Sequence, residues 1–290
     1  MRSTTAGDRW RKALAEWQIP PDILAGAEES PWVLPRQVFV RRAEGLARAP
    51  YGQSYARARE ALDTPGSLLD VGAAAGAASL PLAPRATSIC AIDTDEPMLE
   101  DFARAAGTAG VSYSRVSGRW PDVAHQVGAA DLVVCHHVLY NVPDIEPFII
   151  ELDRHARRRV VVEITERHPL VRLNPLWQRI HGIDRPDGPS ATDLLAVLDE
   201  LGFAVHAERW QRPVDAEYRE FGELVETTRR RLCLPAARTD EVIAALHELG
   251  VSEETAPHFG SSSQDLVTIW WSATRASGDG ASDRTHNRLG

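Results

Sequence analysis

Three groups of residues in this chain have the types and spacing to do chemistry. The first is Leu68-Leu69-Asp70-Val71-Gly72-Ala73-Ala74-Ala75-Gly76, an apolar run that meets an acid and then a turn of small residues. Side chains no larger than a methyl let a ligand approach backbone amides closely, and a helix starting there would offer its positive end. The second is Asp93, which closes the next apolar run 21 positions after Gly72. A carboxylate at that spacing grips ribose hydroxyls at the switch point of an open α/β sheet. It could equally cap the next helix, a role open to Thr94 and Asp95 as well. The third group is His136, His137 and Tyr140 at the end of the fourth apolar run. Imidazole can take a proton from a hydroxyl or amine near neutral pH. Strand alternation would send the two histidines to opposite faces, His136 toward a ligand and His137 toward the helices. Glu163, Glu166 and His168 mark the fifth run, but without a regular spacing such as HExxH, so no metal is assigned and a hydrogen-bonded or solvated cluster is expected.

These groups need a framework that gathers strand ends. Apolar runs at 67–71, 88–92, 111–116, 131–135, 160–164, 203–210 and 266–272 alternate with amphipathic stretches. That pattern predicts an α/β fold with a doubly wound, mostly parallel, seven-stranded Rossmann-like sheet. The helix between the first two strands must be short, because Pro81 and Pro84 interrupt it. Residues 1–62 read as an N-terminal helical cap, with helices near 8–18, 36–49 and 54–62 broken at prolines. Residues 63–275 form the main domain, with a helical insertion at about 214–255 before the last strand that would serve as a lid. Residues 276–290 have almost nothing apolar and are expected to be a disordered tail.

Composition removes several function classes. The 290 residues carry a net charge of −9, which repels a polyphosphate backbone and argues against nucleic acid. The basic clusters 157–159 and 229–231 read as solvated helix ends. Lys12 is the only lysine, leaving no candidate for Schiff-base or P-loop chemistry. Three scattered cysteines suggest neither disulfides nor a zinc ribbon. The N-terminus is polar and no run of 18 apolar residues occurs, so a soluble, cytoplasmic protein without membrane contact is expected. A small molecule is the default partner, and the oligomeric state stays open.

On the strength of the glycine turn and Asp93, the chain resembles the class I S-adenosylmethionine-dependent methyltransferases from about residue 68 to 164. Asp70, Gly72 and Gly76 match the family's acid-x-Gly-x-Gly-x-Gly turn, while Ala74 replaces the middle glycine. The resemblance implies S-adenosyl-L-methionine as cofactor, the ribose on Asp93, the adenine beside Arg119 and Trp120, and His136 near the donor. It makes 63–275 a methyltransferase domain acting on an unidentified acceptor. Phrases such as Cys135-His136-His137-Val138-Leu139-Tyr140-Asn141-Val142 and Arg167-His168-Pro169 are similar to an uncharacterised bacterial subgroup. A dinucleotide-dependent oxidoreductase would place glycines at 72, 74 and 77, of which only the first is present. A regulatory protein that binds the cofactor without turnover is the other alternative.

Overall fold

A computed structural model describes residues 4–32, 34–213, 218–254 and 265–274. Seven strands form one sheet in the order β3-β2-β1-β4-β5-β7-β6. They are β1 (Gly66–Val71), β2 (Ala86–Asp93), β3 (Tyr113–Ser117), β4 (Ala130–His136), β5 (Ala156–Thr165), β6 (His206–Gln211) and β7 (Asp265–Ser272). The first five are parallel, and β7 runs antiparallel to both β5 and β6. The order reverses between β1 and β4, so the carboxyl ends of those strands flank the crevice where open α/β sheets take ligands.

Buried apolar side chains on the two faces explain the layers. Leu69, Val71, Val133, Cys135, Val160 and Val162 face one layer, made by α1 (Ala6–Ala15), α6 (Ile145–Arg154) and α8 (Ala191–Glu200). Leu68, Leu132, Val134 and Val161 face the other, made by α3 (Arg36–Arg48), α4 (Gln53–Ala61) and α5 (Glu96–Thr108). The N-terminal segment is therefore split rather than a single cap. Trp10 of α1 is fully buried and its indole N–H donates to the Val142 carbonyl at 2.9 Å, while α3 and α4 cover the opposite face.

A third apolar core lies off the sheet. Ile19, near the short helix α2 (Pro21–Leu24), packs with Leu176 and Trp177 of α7 (Asn174–His181). Leu224 of α9 (Phe221–Arg231) and Val242 and Leu246 of α10 (Thr239–Glu248) complete it. The insertion and the segment after α1 thus share one core. Charges tie the same parts: Arg229 of α9, almost fully buried, donates to Glu28 at 3.2 Å, and Arg41 of α3 pairs with Glu223 at 2.9 Å.

Two expectations about basic clusters are corrected. Arg157, Arg158 and Arg159 lie inside β5, whose early residues run beneath α4; Arg158 donates to the Ala61 carbonyl at 3.3 Å and Arg159 to that of Arg57 at 2.8 Å. Arg158 and Arg159 thus serve carbonyls of a helix that is not their own. Arg229 and Arg231 are buried in α9 instead of solvated. The helix expected after β1 is also missing as an α-helix: residues 72–79 are turns, followed by a 3-10 segment, Leu80–Arg85, that holds Pro81 and Pro84. Without an α-helix there, little helix dipole is aimed at the turn. The proposed tail, 276–290, falls outside the described residues, as do the first residues of the insertion. Among the described residues, no helix is long and apolar enough to cross a membrane.

Candidate active site

The turn after β1 is tied to the end of β2. The Gly72 and Ala73 amides both donate to the Ile92 carbonyl, at 2.8 and 3.0 Å, and the Ala74 amide donates to Asp93 Oδ2 at 2.7 Å. Asp93 Oδ1 accepts the Asp95 amide at 3.0 Å, while the cap of α5 is Asp95 itself, whose side chain accepts from Met98. Asp93 is therefore not the cap of α5. It clamps two strand ends, and each of its oxygens keeps a lone pair for a ligand hydroxyl. The three amides that it and Ile92 engage face β2 and are already used within the protein.

Gly72 has φ +75° and Gly76 φ +90°, the left-handed region that glycine enters without steric cost. Added methyls would meet Val138 Cγ2 at 2.2 Å and Phe102 Cδ2 at 2.8 Å. Ala74 holds the same hand at φ +44°, where an L-residue is strained by about 1–2 kcal/mol. Ala74→Gly is accordingly expected to be neutral or to stabilise by up to about 1 kcal/mol, the relieved strain outweighing the freer unfolded chain. Urea unfolding checks this, and a loss above that size would show that the Ala74 methyl packs against something essential.

Asp70 closes β1 with no exposure at all, and neither carboxylate oxygen has a hydrogen-bond partner. Burial raises its pKa to about 7, with the charge of Asp93 adding to the rise and the nearby Ser79 hydroxyl opposing it. A buried acid without donors, at the end of a strand beside Asp93, fits a cationic nucleoside such as the S-adenosyl group. Asp93 would hold its ribose and Asp70 its charged end.

At the ends of β4 and β5 a second cluster forms. His136 pairs in register with Glu163, and Glu163 with Thr268 of β7. His137 then takes φ +59°, which breaks the alternation and turns its ring back toward Glu163. Its backbone amide donates to the Glu163 carbonyl at 2.9 Å and its Nε2 to Glu163 Oε1 at 2.9 Å. Both histidines thus sit beside one carboxylate, contrary to the opposite faces that alternation predicts. With its proton on Nε2, His137 accepts from the Tyr140 hydroxyl through Nδ1 at 3.2 Å, and that hydroxyl accepts the Thr165 amide at 2.6 Å. Ser54 of α4 bonds Thr268 at 2.6 Å, and the Trp210 indole donates to Thr268 at 2.9 Å, so the network reaches the cap and β6.

The charges follow from burial. His136 is lowered to about 4 by desolvation, against the pull of Glu163, and its Nε2 is buried without a partner. His137 is lowered by burial too. Burial alone would raise Glu163, but the hydrogen bond from His137 holds it well below the usual carboxylate range. Burial pushes the Tyr140 phenol far up, so it stays neutral. The cluster is two neutral imidazoles on one carboxylate.

Other sequence candidates scatter. Trp120 is in the core, its ring edge-on to His155 and its indole N–H on the Phe148 carbonyl at 3.3 Å, which leaves only its backbone to meet an adenine. Arg119 beside it is exposed. Glu166 pairs with Arg209 at 2.8 Å and His168 stacks on Trp17 at 3.9 Å between centroids, so the fifth-strand acids and histidine do not converge. Sequence reasoning missed Ser54, Thr268 and Trp210. Glu163 was visible only as an acid at a strand end, its partnership with His137 hidden because no local pattern encodes cross-strand register.

A sheet of this order, with a small-residue turn after β1 and an acid closing β2, is a Rossmann-like α/β architecture with its ligand crevice at those strand ends. Residues 69–162 match the family described as a methyltransferase domain. It is 29% identical over 133 residues to an uncharacterised protein of Haemophilus influenzae, a stretch covering 44% of this chain and 49% of that one. The chain spans about half the length of this curated relative. Among solved structures it is similar to a cyclopropane-fatty-acyl-phospholipid synthase-like protein from Lactobacillus casei. That match is 15% identical with a TM-score of 0.52, covering 90% of this chain and 99% of the other. It is also similar to a candidate sarcosine dimethylglycine methyltransferase from Galdieria sulphuraria, at 14% identity and a TM-score of 0.50, with 87% and 96% covered. At these identities the likeness is one of fold.

Proposed function

We propose that this chain transfers the methyl group of S-adenosylmethionine to a small-molecule acceptor. The observation that carries the reading is the pair of acids at the turn: Asp93 clamps the ends of β1 and β2 with lone pairs to spare, and Asp70 lies buried without a donor. A sulfonium donor supplies an activated methyl and a neutral leaving group, so the residues here need chiefly to align an acceptor and, where required, take its proton. His136 is suited to the second task, being neutral with a free Nε2. His137, engaged at both nitrogens, positions the cluster. The acceptor would lie beyond β4 and β5, under α3, α4 and the insertion; the Arg41–Glu223 pair joins α3 to the insertion, and the third core with the Arg229–Glu28 pair joins the insertion to the segment after α1, which supports a closed, small-molecule pocket.

Calorimetry with S-adenosylmethionine, S-adenosylhomocysteine and NAD tests this: the first two are expected to bind, and binding of NAD alone would overturn it. Asp93→Ala is expected to weaken S-adenosylhomocysteine binding tenfold or more, since a charge-assisted bond to a ribose hydroxyl is worth roughly 1.5–3 kcal/mol. The variant should also lose stability, because the Ala74 and Asp95 amides lose their acceptor. Unchanged affinity in folded protein would leave Asp93 a purely structural clamp.

A further inference from the structure

Resting on the S-adenosyl reading above, the buried acid of β1 carries a consequence for ligand choice. We propose that Asp70 selects cationic ligands by proton exchange: its carboxyl is held as the neutral acid in the free protein and gives its proton to solvent when a ligand cation enters the turn.

The geometry leaves the anion nothing to lean on. Asp70 has no exposed surface, and both oxygens lack a donor. From β2 the charge of Asp93 repels the anion, and the Cys90 thiol, which burial and the charge of Asp70 keep neutral, offers no counter-charge. On β4 it lies in register with the apolar Val134, and the buried thiol of the next residue, Cys135, is itself pushed up by burial and by the charge of Asp70. From the turn comes only the Ser79 hydroxyl, which favours the anion but makes no well-formed bond to it. Among the described residues, no arginine or histidine is among the groups that act on this carboxyl. An unpaired buried carboxylate is costly enough that the group keeps its proton instead. An ammonium or sulfonium brought alongside supplies the missing counter-charge. The O–H bond then breaks, its electron pair stays on the carboxylate, the proton goes to buffer, and the carboxylate–cation pair forms.

The probes differ in the cations they bring to the decisive end, and methylthioadenosine, which lacks the whole amino-acid chain, is the probe without one. S-adenosylmethionine carries an ammonium and a sulfonium, S-adenosylhomocysteine an ammonium, and 5′-methylthioadenosine neither. Calorimetry at pH 6 in two buffers of different ionisation enthalpy is expected to show close to one proton released per S-adenosylmethionine or S-adenosylhomocysteine bound, and none with methylthioadenosine. In Asp70→Asn the release should vanish and the preference for S-adenosylhomocysteine over methylthioadenosine should fall at least tenfold. Should that variant not fold, infrared difference spectra of the natural protein carry the test, through loss of a protonated-carboxyl band on binding. Binding with no proton release, or release that persists in Asp70→Asn, overturns the proposal while leaving the S-adenosyl reading intact. If none of the three nucleosides binds, both fall together.

Discussion

Gly72→Ala is expected to destabilise the folded chain by about 1–4.5 kcal/mol and to abolish measurable S-adenosylhomocysteine binding. Two costs add. An alanine at φ +75° carries about 1–2 kcal/mol of left-handed strain. Its methyl would also sit 2.2 Å from Val138 Cγ2, and a β-branched side chain with restricted rotamers cannot swing clear, an overpacking worth about 1–3 kcal/mol. The gain from a stiffer unfolded chain, about 0.4–1 kcal/mol, does not offset them. Val138 immediately follows His137, so pushing it away also shifts the histidine cluster. Denaturant unfolding measures the first effect and calorimetry the second. The double variant with Val138→Ala is expected to recover the overpacking part but not the strain, a coupling that a double-mutant cycle isolates. If Gly72→Ala alone is neutral, the turn is looser than the contacts imply.

The sheet was legible because its strands are buried on both faces and read as apolar runs; 67–71 and 266–272 differ from the observed β1 and β7 by a residue at one end. The edges were harder. β3 is mostly exposed, so its polar residues carry no burial signal, and the apolar Val111 drew the expected strand two residues early. Early in β5 stand three arginines that look like a solvated helix end, but Arg158 and Arg159 reach over to α4, a tertiary contact that overrides local propensity.

The site divides along the same line. Asp70, Gly72, Ala74, Gly76 and Asp93 lie in two short segments joined by one βαβ-like unit, and spacing alone brought them together. Trp120 looked available because it follows a strand end, yet an indole that finds both a core and a carbonyl acceptor stays inside. The His137–Glu163 pair needed knowledge that His136 lies opposite Glu163 and that His137 leaves the extended region. Neither is written in periodicity.

Acidification is expected to cost this protein several kcal/mol of stability between pH 6.5 and 4, in a way that single substitutions can separate. His136 and His168 are buried as neutral rings, lowered by desolvation to about 4 and about 3; for His168 the charges of Arg231 and Arg185 add to the effect. The unfolded chain binds protons to both near pH 6.5 and the folded chain does not, so stability falls as pH drops through that value, by on the order of 3 and 5 kcal/mol respectively once the folded pKa is reached. Asp70 acts with the opposite sign. Its folded pKa near 7 exceeds the unfolded 3.8, so the neutral form stabilises fully below 3.8 and that contribution is lost as pH rises through 7. Glu163, held low, adds a loss only below its unfolded value of 4.5. From pH 6.5 to 4 the two histidines together outweigh Asp70, and the net slope is downward. His168→Phe keeps an aromatic ring on Trp17 and is expected to flatten that slope by up to about 1.4 kcal/mol per pH unit, one proton's worth. Asp70→Asn should steepen it, because the opposing contribution is gone. Urea unfolding at pH 8, 6.5, 5 and 4 for the three proteins reads both changes. A slope that His168→Phe leaves untouched would mean that His168 is protonated in the folded state and that its stack on Trp17 tolerates a charge.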